Sequence, residues 1–211
     1  MKYNEFAKEV HENSKAHGWW DDDRSVGEII ALCHSEVSEA LEEYRAGRPH
    51  VWWECKLAAR SDDLTNDEKC EGCTYMGTSP ACVKGTAKPE GIAVELADCI
   101  IRCFDWFGCM QFDVDALLAD AAGGERWMSD MPIYQLDNFG GFISRLHLDL
   151  SLAYRCFCNA SGTYATALRM AVCCNEIFDW AQREGVDMEA ILKLKHEYNK
   201  GRSYKHGGKV M

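Results

Sequence analysis

The sequence predicts an all-α fold, a single helical bundle. Three observations lead there. Apolar residues recur at helical spacing through most of the chain. The four prolines, Pro49, Pro80, Pro89 and Pro132, interrupt none of the helical stretches. At 211 residues, 47% apolar and 27% charged, the chain has enough apolar sequence for one well-buried core.

Helices are predicted at 3–17, 25–46, 90–108, 112–121, 135–158, 163–184 and 187–200. The first is amphipathic and charged. In the second, Ile29, Leu32, Glu36, Glu39 and Glu43 follow a 3-4 spacing beside a stripe of Ile30, Cys33, Val37, Ala40, Leu41 and Tyr44. Its carboxylates therefore continue an apolar stripe instead of lying opposite it. The third, GIAVELADCIIRCFDWFG, is apolar around most of its circumference. Its narrow polar arc holds Glu95, Asp98, Arg102 and Asp105, the pattern of a buried helix.

Two acidic motifs thus stand in apolar helices, Glu36-x-x-Glu39 and Glu95-x-x-Asp98. Residues three apart share a helix face. Packed together, the two helices gather four carboxylates, and like charges that close need a cation among them. Four carboxylates without histidine suit Mg²⁺, which keeps waters and takes up substrate phosphates. A solvated pair of acidic faces is the plainer alternative.

A di-iron bundle also uses carboxylates on facing helices, but it calls for Glu-x-x-His motifs, and the sequence has none. The net charge of −11 argues against binding a nucleic-acid polymer, though not against a nucleotide ligand beside a metal. No run of about 18 apolar residues is present, so no membrane span is expected. The N-terminus lacks the apolar core of a signal peptide. Twelve cysteines are then expected in a reducing cytoplasm, where burial or metal binding is commoner than disulfides.

Residues 1–211 form one domain with an insertion at 49–89 and a basic tail at 201–211. The insertion has no helical period and is rich in Gly, Ser, Thr and Asp. Its Cys70-x-x-Cys73 pair has zinc-knuckle spacing, with Cys55 and Cys82 on either side. These four are candidate ligands of a structural Zn²⁺, free thiols being the alternative. Cys33, Cys99, Cys103, Cys173 and Cys174 fall in apolar helices and read as core residues.

A weak internal repeat aligns residues 92–108 with 165–185 through the shared Phe104-Asp105-Trp106 and Phe178-Asp179-Trp180. In that register Glu95 meets Arg169 and Asp98 meets Val172. Residues 34–45 similarly align with 147–155, where Glu36 meets Asp149 and Glu39 meets Leu152. Either the second half is a copy without its metal ligands, or amphipathic helices are alike by chance. At the C-terminus, residues 193–209 hold six Lys or Arg against one Glu. Such a segment folds over a polyphosphate or stays a solvated, frayed end.

HSEVSEALEEYRAGRP, KPEGIAVELADCIIRCFDWFG and KHEYNKGRSYKHGGK resemble the MazG-like nucleotide pyrophosphohydrolases. These are related to the dimeric dUTPases within the all-α NTP pyrophosphatases. The resemblance covers most of the chain outside the insertion. It implies the bundle of that family, a homo-oligomer, and Mg²⁺-dependent hydrolysis of a nucleoside triphosphate, a dNTP first, to the monophosphate and pyrophosphate.

By this resemblance Glu36, Glu39, Glu95 and Asp98 hold Mg²⁺, and Glu39 with Glu36 carries the catalysis. The polyphosphate falls to Lys195, Tyr198, Asn199, Arg202, His206 and Lys209. Trp19 and Trp20, in the turn after the first helix, stack on the base or clasp the core. The family pattern reads Glu-Glu-x-x-Glu, but the first position here is Ser35, and Glu43 is a candidate to replace the missing carboxylate. The alternative function is a non-catalytic helical adaptor with a zinc-stabilised loop.

Overall fold

The computed structural model describes residues 1–55, 76–77, 87–123, 138–159 and 162–205, side chains excepted at 55, 76, 77 and 87. It is predominantly helical. Seven helices are assigned: α1 (Tyr3–Ala16), α2 (Val26–Arg45), α3 (Ile92–Cys109), α4 (Val114–Gly123), α5 (Phe139–Cys158), α6 (Thr163–Glu184) and α7 (Met188–Lys200). Each corresponds to one stretch of helical period.

The starts of the helices are written locally. Ser25 caps α2 in a capping box: its hydroxyl accepts from the Glu28 amide at 3.1 Å, and the Glu28 carboxylate accepts from the Ser25 amide at 2.7 Å. Asn138 caps α5 and Asp187 caps α7 in the simpler way. The carboxylate of Asp115, from α4, accepts from the amides of Tyr3 and Asn4 and so closes the first turn of α1.

α3 is the centre of the bundle. It packs against α1, α2, α6 and α7, and thirteen of its residues are buried. Phe104 and Phe107 are fully enclosed, with the rings of Tyr3 and Phe6 stacked edge-on against Phe104. Such large apolar side chains are each worth about 1.5–3 kcal/mol on burial.

The stretch 49–89, expected to lack secondary structure, carries strands. β1 (Trp52–Cys55), β2 (Met76–Gly77) and β3 (Ala87–Glu90) form an antiparallel sheet in the order β2-β1-β3. Trp52 pairs with Glu90 and Cys55 with Ala87. Gly91 then turns β3 into α3. It holds φ at +115°, and a Cβ there would lie 2.7 Å from the carbonyl oxygens of Pro49 and His50.

The two halves aligned in the sequence pack as matching pairs, α2 on α3 and α5 on α6, joined through α2 and α5. Aligned residues also meet one another. His34 lies against His147, and Cys173 neighbours Cys99. Among the described residues, no helix is long and apolar enough to cross a membrane.

Candidate metal centre and cleft

Glu36 and Glu39 stand one turn apart on α2, and Glu95 stands on α3. One carboxylate oxygen from each lies within 4.8 Å of the other two. Glu36 and Glu95 are buried, while Glu39 is exposed at the mouth. Three of the four expected ligands therefore converge from two helices. Asp98 instead faces Lys195, whose ammonium is 2.9 Å away.

The charges around this cluster are tightly matched. The Arg102 guanidinium donates from Nε to Glu36 Oε1 at 2.6 Å. Burial pushes the Glu36 carboxyl up to about 7; Arg102 opposes the shift, while Asp98 and Glu39 add to it. Burial likewise pushes Glu95 up to about 9 against the pull of Lys195, with Asp98 and Glu90 adding to it. Burial alone would lower the pKa of Lys195, but Asp98 and Glu95 outweigh it and hold the ammonium protonated. A divalent cation would reverse the penalty on the carboxylates.

The position where the family pattern has glutamate is not idle. The Ser35 hydroxyl donates to Glu39 Oε1 at 3.1 Å and steadies that carboxylate. Glu43, the candidate replacement, is engaged elsewhere: it accepts from the Trp52 indole N–H at 2.6 Å and ties α2 to β1. It lies outside the three-carboxylate cluster.

Beside the cluster a cleft opens between α1, α3, α7 and the turn after α1. Asp98 and Arg102 line it and connect it to the carboxylates. Arg24, Arg102 and Arg202 bring guanidinium groups to it, alongside the carboxylates of Asp98 and Asp105. Three polar atoms of its lining residues are buried without a hydrogen-bond partner, Arg24 Nη2, His196 Nε2 and Asn199 Oδ1. Buried groups of that kind normally find a partner, and a bound ligand would supply one.

Asp105 anchors the cleft from below. Its carboxylate accepts from the Trp20 indole N–H at 2.9 Å, bonds His11 Nδ1 at 2.9 Å and lies 3.8 Å from Arg24. The two tryptophans thus divide the roles foreseen for them. Trp20 packs against the core, its N–H committed to Asp105. Trp19 lines the cleft, with the Arg24 guanidinium 5.4 Å from its ring centre.

The tail divides as well. Arg202 and Asn199 line the cleft, whereas Lys195 is buried against Asp98. The following residues dock on the turn after α1. The Lys205 amide donates to the His17 carbonyl at 3.0 Å, its ammonium reaches Asp22, and the Tyr204 hydroxyl donates to Asp21. The Tyr204 ring fills the space above Gly18, where φ is +77° and a Cβ would lie 2.1 Å from the ring. His206 and Lys209 lie outside the described residues, as do Cys70, Cys73, Cys82 and the side chain of Cys55.

Sequence reasoning placed Arg102 and Asp105 on the polar arc of α3 without giving them roles, and it passed over Glu90 and Arg24. Glu90, the last residue of β3, is buried with its carboxylate paired to Lys88. The i, i+4 spacing of Asp98 and Arg102 was the available signal for a charge-balanced site.

The second half shows what the same frame holds without a carboxylate cluster. Asp149, aligned with Glu36, is 1% exposed and lies 3.5 Å from Arg145. Arg145 also reaches Glu176 at 3.6 Å, and Arg169, aligned with Glu95, adds positive charge. Arg145 and Arg169 balance Asp149 here, as Arg102 balances Glu36 in the first half. No family model, curated protein or solved structure matches the chain.

Proposed function

We propose that this chain is a Mg²⁺-dependent nucleoside triphosphate pyrophosphohydrolase of the MazG-like, all-α type, converting NTP and water to NMP and pyrophosphate. One observation carries the reading: three carboxylates from α2 and α3 converge beside a cleft lined by Arg24, Arg102 and Arg202. Hard oxygen ligands next to guanidinium groups suit a metal-polyphosphate ligand.

Glu36, Glu39 and Glu95 would hold the metal, and Asp98, now paired with Lys195, would be the fourth ligand. Mg²⁺ bound there supplies charge stabilisation on the phosphate oxygens. Glu39, exposed and steadied by Ser35, accepts the proton of the attacking water as it adds to the α-phosphorus. The bond to the β-phosphate's bridging oxygen breaks, and pyrophosphate leaves. Arg24, Arg102 and Arg202 take up the charge that develops on it. Trp19 provides a face for the base.

The test is a panel of NTPs, dNTPs and their modified forms, incubated with and without Mg²⁺. Monophosphate and pyrophosphate in equal amounts, from at least one nucleotide and only with the metal, are expected. Release of orthophosphate, or no turnover of any nucleotide, overturns the reading.

A further inference from the structure

Five of the twelve cysteines meet in the middle of the bundle. Cys33 comes from α2, Cys99 and Cys103 from successive turns of α3, and Cys173 and Cys174 from α6. All five are fully buried and free of disulfides. The sulfurs of Cys33, Cys99 and Cys103 lie within 4.8 Å of one another. Those of Cys33 and Cys103 are 3.8 Å apart. Cys173 neighbours Cys99 and Cys174 neighbours Cys103, both outside the three-sulfur group.

We infer that Cys33, Cys99 and Cys103 hold Zn²⁺ in the core, separate from the carboxylate cluster, and that Cys173, the neighbour of Cys99 on α6, moves in as the fourth thiolate. A Zn–S bond of about 2.3 Å puts neighbouring sulfurs of a tetrahedron about 3.8 Å apart, the separation found between Cys33 and Cys103. Soft sulfur selects a d¹⁰ ion as decisively as the carboxylates select a hard one. All four residues are closed to water, as in structural zinc sites, so the ion enters as the helices assemble.

The surroundings carry compensating charge. The Arg102 guanidinium acts on both Cys33 and Cys99. An ion held there would pin α2, α3 and α6 to one another, and with them the carboxylates one turn away on α2 and α3.

The insertion cysteines are a competing zinc source, so the test begins from the full chain with Cys55, Cys70, Cys73 and Cys82 changed to Ser. It is expressed in medium supplemented with Zn²⁺ or Co²⁺ and purified with reductant and no chelator. Elemental analysis is expected to give about one ion per chain, and the cobalt form to show thiolate-to-metal charge-transfer absorption.

Adding Cys99→Ala and Cys103→Ala should lower bound metal at least ten-fold in protein that remains helical by circular dichroism. If that variant does not fold, the cobalt spectrum of the four-serine protein decides alone. Metal-free, folded four-serine protein, or cobalt bound without thiolate absorption, overturns the site and leaves the five thiols as apolar packing. Uptake of Cu(I) but not Zn²⁺ overturns the choice of metal.

Discussion

His34 and His147 meet Nδ1 to Nδ1 at 2.8 Å, with their rings stacked 5.1 Å apart. They occupy aligned positions on α2 and α5. A bond between two ring nitrogens needs one donor and one acceptor, so at least one ring must be neutral. Two cationic rings in the same place would also repel.

Burial lowers the pKa of both histidines, and the facing ring lowers that of His34 further. A lowered histidine pKa means that the unfolded chain binds protons first. The contribution of the pair is therefore complete above the ordinary value of 6.5 and is lost as pH falls through the lower folded values. Denaturation midpoints between about pH 8 and about pH 5 should show this loss in the parent and a flatter profile in His147→Gln. Identical profiles would mean that the pair contributes nothing to pH sensitivity.

Glu95 titrates in the opposite sense. Its carboxyl is pushed up to about 9, so the folded state holds its proton longer than the unfolded state. The stability tied to that proton is complete below about 4.5 and is lost as pH rises through about 9. Without metal, Glu95→Gln should melt above the parent near pH 9, with the gap closing toward acid. Mg²⁺ should raise the melting point of the parent and not of the variant. Turnover of the variant should fall by a factor on the order of 10²–10³, as expected for loss of a charge-stabilising group.

Asp149 provides the contrast. It is aligned with Glu36 and equally enclosed, and burial pushes its carboxyl up to about 6. Asp149→Asn removes a charge that has no metal to hold, so activity should be unchanged within about two-fold. By the same sign rule, the variant should gain stability relative to the parent as pH rises from 3.8 to about 6 and keep that gain above. A ten-fold loss of activity would show that the second half takes part in the chemistry.

Gly18→Ala tests the docking of the tail. The new methyl group meets the Tyr204 ring, and φ at +77° disfavours any side chain. The variant should lose more than about 1 kcal/mol of stability. It should also raise KM more than it lowers kcat, because Arg202 lines the cleft two residues before Tyr204. Removal of residues 201–211 should raise KM at least as much. Unchanged KM in both would place the phosphates elsewhere.

The helices were legible because their signals are local. Ser25 and Glu28 mark the start of α2 three residues apart, and the apolar stripes give the period. Glu36, Glu39 and Glu95 were legible because they interrupt stripes that otherwise face a core. β3 was not, since strands of two to four residues show little alternation and Ala-Lys-Pro-Glu has no strand propensity. Pro89 is tolerated because β3 lies at the edge of the sheet. The commitments of Lys195 to Asp98 and of Trp52 to Glu43 depend on how distant elements pack, which no spacing reveals.

The pairing of β1 with β3 has a consequence for how the chain can vary. The ladder from Trp52–Glu90 to Cys55–Ala87 closes a neck, and Gly91 leads from it directly into the helix that bears Glu95. That neck holds the two ends of any sequence spliced between Cys55 and Ala87 side by side. Each doubling of a flexible loop's length costs only about 0.6 kcal/mol in closure entropy. Insertions and deletions made there should therefore leave the carboxylates, one short turn beyond, in their places.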